Sequence, residues 1–137
     1  MRIFDNFYTK TINMYVKEPY LISLRIIDSM RNFFNVSEKK NEYKTDGPKH
    51  ISNIEFTITK DIDRYANVKM EFSLYGKDNI LTINVLGSVI LTIDKFGFFS
   101  DIFSQFYLEK IYPQTRKECE KVIEEIKKRF EKIIENI

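Results

Sequence analysis

Cysteine, alanine, glycine and tryptophan are scarce in this chain of 137 residues, with one cysteine, one alanine, four glycines and no tryptophan. A single cysteine cannot close an intramolecular disulfide, so the fold gains nothing from oxidation. With one histidine beside it, the ligand inventory excludes zinc and other soft-metal sites. The four glycines are not spaced to cradle a phosphate, which removes nucleotide loops of the familiar kinds. No uninterrupted apolar run has the length that crosses a bilayer, so no membrane span is expected. Charge of one sign is missing too: 22 basic and 20 acidic side chains leave a formal charge of +2. That balance argues against a nucleic-acid partner held by a strong positive field. Residues 1–17 lack a signal-peptide core, because Asp5, Asn6, Lys10 and Asn13 interrupt it. A cytoplasmic protein is the expectation, with no cofactor.

What is present is globular. Hydrophobic residues make up 43% and charged residues 31%, the proportions of a chain that buries a core rather than staying disordered. The length suits a single domain over 1–137. The clearest pattern lies at 113–137, where Cys119, Val122, Ile123, Ile126, Phe130, Ile133, Ile134 and Ile137 draw one stripe on a 3.6-residue helix. Glu124–Lys128 and Glu125–Arg129 sit at helical neighbour spacing on the other side. Pro113 suits a helix entrance, and Thr115 with Glu118 fits a capping box. A helix of that length needs a large apolar surface to lie on.

The middle of the chain supplies strands. At 11–17, Ile12, Met14 and Val16 alternate with polar residues, whereas Ile3, Phe4, Phe7 and Tyr8 before them keep no clean period. Pro19 opens an amphipathic helix at 20–34, with Tyr20, Leu24, Ile27, Met30 and Phe34 on one face. Residues 37–49 read as a solvated connection with a turn at Asp46-Gly47. Then Ile54, Phe56 and Ile58, and Val68, Met70, Phe72 and Leu74, alternate with polar neighbours, the mark of an antiparallel sheet with one buried face. Leu81, Ile83, Val85, Val89, Leu91 and Ile93 are all odd, so Gly87 lies on the apolar side. Parity excludes a two-residue hairpin at Gly87; it leaves a three-residue turn or a bend in one long strand.

Candidate sites are few. His50 and Cys119 would have to meet in space to act as a nucleophile pair, and Cys119 sits on the apolar stripe as a small hydrophobe would. Asp61-Ile62-Asp63-Arg64 has the chemistry of a turn with an Asp–Arg pair; the residues after it do not complete a calcium loop. Asp28, Glu55, Glu71 and Asp94 are common acids that act together only if the fold converges them. An enzyme is therefore not the favoured reading. The one unusual stretch is 98–112, apolar or aromatic over more than a core stripe. It packs under the last helix, or lines a cavity for an apolar small molecule, or lies exposed and joins a second chain. Met70, Phe99, Phe103 and Phe106 are the candidate lining of such a cavity.

The order of elements, from Ile12-Asn13-Met14-Tyr15-Val16 and Lys17-Glu18-Pro19 through the strands between Ile54 and Ile93 to the helix ending at Ile137, resembles the helix-grip superfamily of START domains, birch-pollen-type allergens and polyketide cyclases. The resemblance is topological and rests on no short motif. It implies an apolar or amphipathic small molecule held between a curved sheet and the last helix. The chain departs from the superfamily in having fewer strands than the usual seven and an extra aromatic helical segment. The expected fold is α+β, an antiparallel sheet of four to six strands covered on one face by an N-terminal helix and a long C-terminal helix. The expected role is a non-catalytic binder of such a molecule; the alternative is a protein–protein or homo-oligomerisation module using 98–112.

Overall fold

A computed structural model describes residues 2–92 and 97–137, with side chains for 5–92 and 102–137. Five strands form one antiparallel sheet: β1 (Arg2–Tyr15), β2 (Val36–Asp46), β3 (Lys49–Asp61), β4 (Ala66–Lys77) and β5 (Ile80–Thr92). The order across the sheet is β1-β5-β4-β3-β2, so the first strand closes beside the last. Helix α1 (Pro19–Arg31) links β1 to β2. The chain ends in α2 (Gly97–Phe106), a π turn (Tyr107–Ile111) and α3 (Tyr112–Glu135).

One face of the sheet carries the core. Ile54, Phe56 and Ile58 of β3, Val68, Met70, Phe72 and Leu74 of β4, and Leu81, Ile83, Val85, Val89 and Leu91 of β5 are all buried. They are one parity on each strand, as a one-sided sheet requires. Phe56 and Phe72 are register partners and stack at 4.7 Å. Over them lie Ile26, Ile27 and Met30 of α1 and Cys119, Ile123, Ile126 and Phe130 of α3. Phe130 meets Phe72 at 5.0 Å.

Gly87 is a bend within β5, not a hairpin: Met70 pairs with it on one side and Tyr8 on the other. A Cβ there would stand 2.5 Å from Met70 Sδ, so the missing side chain is filled by its neighbour's sulfur. Across from it β1 is bulged between Asn6 and Tyr8. A bulge inserts one residue and swaps which parity faces the core. Asp5 is therefore register partner of the buried Val89, while Ile12 and Met14 partner the buried Ile83 and Leu81. That swap is why residues 3–8 show no period. Ile93, expected to continue the odd set, lies outside the described residues.

The reading of 37–49 as a solvated connection is corrected. It is edge strand β2, followed by a turn in which Gly47 takes φ +60° between Asp46 and Pro48. A second bulge, between Glu38 and Lys40, shifts the parity, and nearly every side chain is exposed. A lysine-rich bulged edge resists pairing with another sheet, and it also hides the period that identifies a strand.

Candidate functional site

The long C-terminal element has two unlike halves. In α3 the stripe of Thr115, Cys119, Ile123, Ile126 and Phe130 is buried, as the spacing requires. Ahead of it, Ile102 and Phe106 are each 53% exposed and Phe103 and Ile111 each 37%. Four large apolar side chains thus lie at the surface of one helical segment, whose residue Tyr107 is only 1% exposed.

Asp63 explains how that segment is held. It lies between β3 and β4 and accepts four hydrogen bonds. The N–H groups of Tyr65 and Ala66 donate to Oδ1 at 2.7 and 2.8 Å, folding the turn locally. The hydroxyls of Tyr107 and Thr115 donate to Oδ2 at 2.7 and 3.1 Å, tying the turn to the helix. Burial by itself would raise the Asp63 pKa. The hydrogen bonds from Tyr107, from the two N–H groups and from Thr115 outweigh it and hold the carboxyl below its ordinary value. Tyr107 moves the opposite way, raised by burial and by the Asp63 charge it faces.

The π turn makes this pairing possible. Each α-helical residue turns about 100°, so Tyr107 and Thr115, eight apart, would diverge by about 80° on a continuous α-helix. A π turn takes up one extra residue and cuts the divergence to about 20°. Its signature bond runs from the Tyr112 N–H to the Tyr107 carbonyl. Pro113 gives the cause, because a proline clashes with the carbonyl four residues back and donates nothing to it. The same extra residue brings Ile111 round towards the side of Ile102, Phe103 and Phe106. The capping box expected at Thr115 is therefore corrected: the helix is already running there, and the Thr115 hydroxyl is given to Asp63.

Tyr65 supports the segment from beneath. Its ring packs on Phe103 at 5.2 Å and edge-on against Tyr107 at 5.1 Å. On the β1 side the Tyr112 hydroxyl donates to Asp5 at 3.1 Å, and the Arg116 guanidinium stands 3.4 Å from the same carboxylate. Burial and the Asp5 charge push the Tyr112 pKa up to about 12.

Of the four candidate lining residues, Met70 is apart from Phe103 and Phe106. Met70 is fully buried in the core beside Gly87, whereas Phe103 and Phe106 reach the surface. The side chain of Phe99 lies outside the described residues. The nucleophile pair is also taken apart. Cys119 is buried, and burial with the nearby Asp63 charge pushes its thiol up to about 11, away from a reactive thiolate. His50 is near the start of β3, the opposite end of the strand from Asp63, with its Nδ1 2.6 Å from the Tyr43 hydroxyl. Of the four acids, Asp28 pairs with Arg31 on α1, Glu71 with Lys69 on β4. Glu55 and Glu71 belong to the sheet parity opposite the core, and Asp94 lies outside the described residues. Among the described residues no group of three or more His, Cys, Asp or Glu could hold a metal ion, and no helix is long and apolar enough to cross a membrane.

In the sequence Asp63 has only the chemistry of a turn, and nothing there joins it to Tyr107 and Thr115. The available signal was Pro113: a helical stripe that runs through a proline needs a register correction just before it.

No family model and no curated protein matches the chain. Among solved structures, an uncharacterised protein from Rhizobium leguminosarum aligns over 100% of this chain and 99% of its own, at 10% identity and a TM-score of 0.29.

Proposed function

We propose that the protein is a non-catalytic association module that pairs with a second copy of itself through the face made by Ile102, Phe103, Phe106 and Ile111. The observation that carries this is their joint exposure on a segment whose position is fixed by Asp63. Aromatic and large apolar side chains of that kind are enriched at the centres of interfaces. A two-fold contact sets a surface against its own image, so a rim of one sign would repel itself. Here the neighbouring Glu109 and Lys110 cancel, and Gln105 is neutral. A second copy fits that rim better than a partner chosen by charge.

The topological likeness to the helix-grip superfamily forms part of the same proposal, as an order of elements. The small molecule that such proteins hold beneath the last helix ranks second here, because Met70, Phe72, Ile123 and Phe130 are buried side chains packed in that place. Light scattering across a concentration series tests association. The expected result is a dimer that Phe106→Asp shifts to monomer without loss of helicity. A native chain that stays monomeric at every concentration overturns the proposal.

A further inference from the structure

At the end of the sheet away from Asp63, α1 begins late and leaves the inner face of the strand ends open. The space is a cleft of about 780 Å³, within the size range of small-molecule sites. Register builds its wall. Tyr43 of β2 is opposite Ser52 of β3, and Ser52 is opposite Gly76 of β4, so all three share a face. His50, two residues before Ser52, shares it too. The Tyr43 hydroxyl meets His50 Nδ1 at 2.6 Å, and the Tyr43 ring stacks on Tyr20 of α1 at 4.8 Å. A Cβ on Gly76 would stand 2.5 Å from both Pro19 Cβ and Ser52 Oγ. Its absence is what lets the helix start settle against the sheet.

Two independent features there ask for an acceptor. Glu18 at the N-cap of α1 makes no side-chain cap. The first amide taken up is that of Ile22, by the Glu18 carbonyl at 3.1 Å. The Tyr20 and Leu21 N–H groups therefore have no intrahelical acceptor, and they carry the positive end of the helix dipole. Separately, Ser52 is 3% exposed and lines the cleft, and its buried hydroxyl has no hydrogen-bond partner among the described residues. Buried hydroxyls in folded proteins normally have one. The charges on the rim, Lys17 against Glu18 and Asp78, do not build a field of one sign. Recognition is left to rings and hydrogen bonds.

We propose that this cleft binds a planar aromatic small molecule whose polar end is an acceptor oxygen, either a carboxylate or a carbonyl. The ring packs against the edge of the stack that Tyr43 makes with Tyr20 and His50, in the edge-to-face arrangement that aromatic rings favour. The oxygen takes the Ser52 hydroxyl and the amides of Tyr20 and Leu21. This site is separate from the association face, so either can fail without the other.

The test is titration of the full-length chain with naphthalene-2-carboxylate and, in parallel, naphthalene-2-carboxamide, followed by amide NMR and calorimetry. The expected result is saturable movement of the Tyr20, Leu21 and Ser52 amide signals. Tighter binding of the acid assigns a carboxylate, and equal or tighter binding of the amide assigns a carbonyl. Ser52→Ala is expected to fold as well as the native chain, since its hydroxyl bonds nothing among the described residues, yet to weaken binding about five- to tenfold, the worth of one hydrogen bond. Tyr43→Ala is expected to weaken it further. The proposal is overturned if neither compound moves those signals at millimolar concentration, or if both variants bind as the native chain does.

Discussion

The two halves of the C-terminal helical element differ in their apolar surface, one stripe along α3 and more than a stripe ahead of it, and in what lies beneath that surface. Along α3 the buried apolar stripe lies over the sheet face: Phe130 meets Phe72, and Ile123 stands over Gly87. Along 102–111 only one side is satisfied. Ser104 and Tyr107 are buried, Leu108 packs partly against the core, Tyr65 packs under Phe103, and Ile102, Phe106 and Ile111 stay exposed. The lesson is that hydrophobic pattern sets which residues seek cover, while the extent of the sheet sets which of them find it.

Four substitutions follow in falling order of effect, three on that contrast and one, Gly76→Ala, where α1 meets the sheet. Phe130→Ala removes a ring closed in by the sheet and should destabilise by about 3–5 kcal/mol, read as a lower denaturation midpoint at unchanged m-value. A cost near zero would mean that α3 is no more covered than α2. Asp63→Ala strips the acceptor from four donors and takes the carboxylate from the buried Tyr107 hydroxyl, at a cost of about 1.5–3 kcal/mol. Gly76→Ala should cost about 1–3 kcal/mol by overpacking, because the new methyl meets the Pro19 ring. Phe106→Asp should change monomer stability by less than about 0.5 kcal/mol, since the ring it replaces faces outward. Equal losses from Phe130→Ala and Phe106→Asp would erase the distinction between the halves.

pH sharpens it further. Asp63 is held below the value near 3.9 of an unfolded aspartate, so its contribution is complete above about pH 4 and lost as pH falls through its folded value. Tyr107 is raised, so its contribution is complete below the ordinary tyrosine value of about 10 and lost as pH climbs beyond it. Denaturation midpoints measured across both limits should decline at each end. In Asp63→Ala the acid decline should be shallower than in the native chain. An unchanged acid decline would show that Asp63 is not the anchor.

Much of the fold is legible in the sequence because its signals are periodic. The odd set from Leu81 to Leu91 and the stripe from Cys119 to Phe130 each report a single facing, and the structure places each on the core side. The illegible parts are those where one residue breaks the count. The bulges in β1 and β2 reverse parity partway along, so residues 3–8 lose their period and 37–46 pass for a loop. The π turn does the same to the helix, concealing that Tyr107 and Thr115 share a face. The exposure of Phe103 and Phe106 is illegible for a different reason: an apolar pattern reads alike under a sheet and beyond its edge. Asp63 reads as plain turn chemistry because only its two local donors, the Tyr65 and Ala66 N–H groups, are near in the chain, while the hydroxyls of Tyr107 and Thr115 come from 44 and 52 residues away.

The most direct test puts 4-fluorophenylalanine at position 106 and follows its fluorine resonance from low micromolar to near-millimolar protein. The account predicts an exposed-ring signal in dilute solution that converts to a buried one as copies pair, with Asp63→Ala weakening the conversion. A resonance that stays at the exposed position throughout, or one already buried in the dilute monomer, would contradict it.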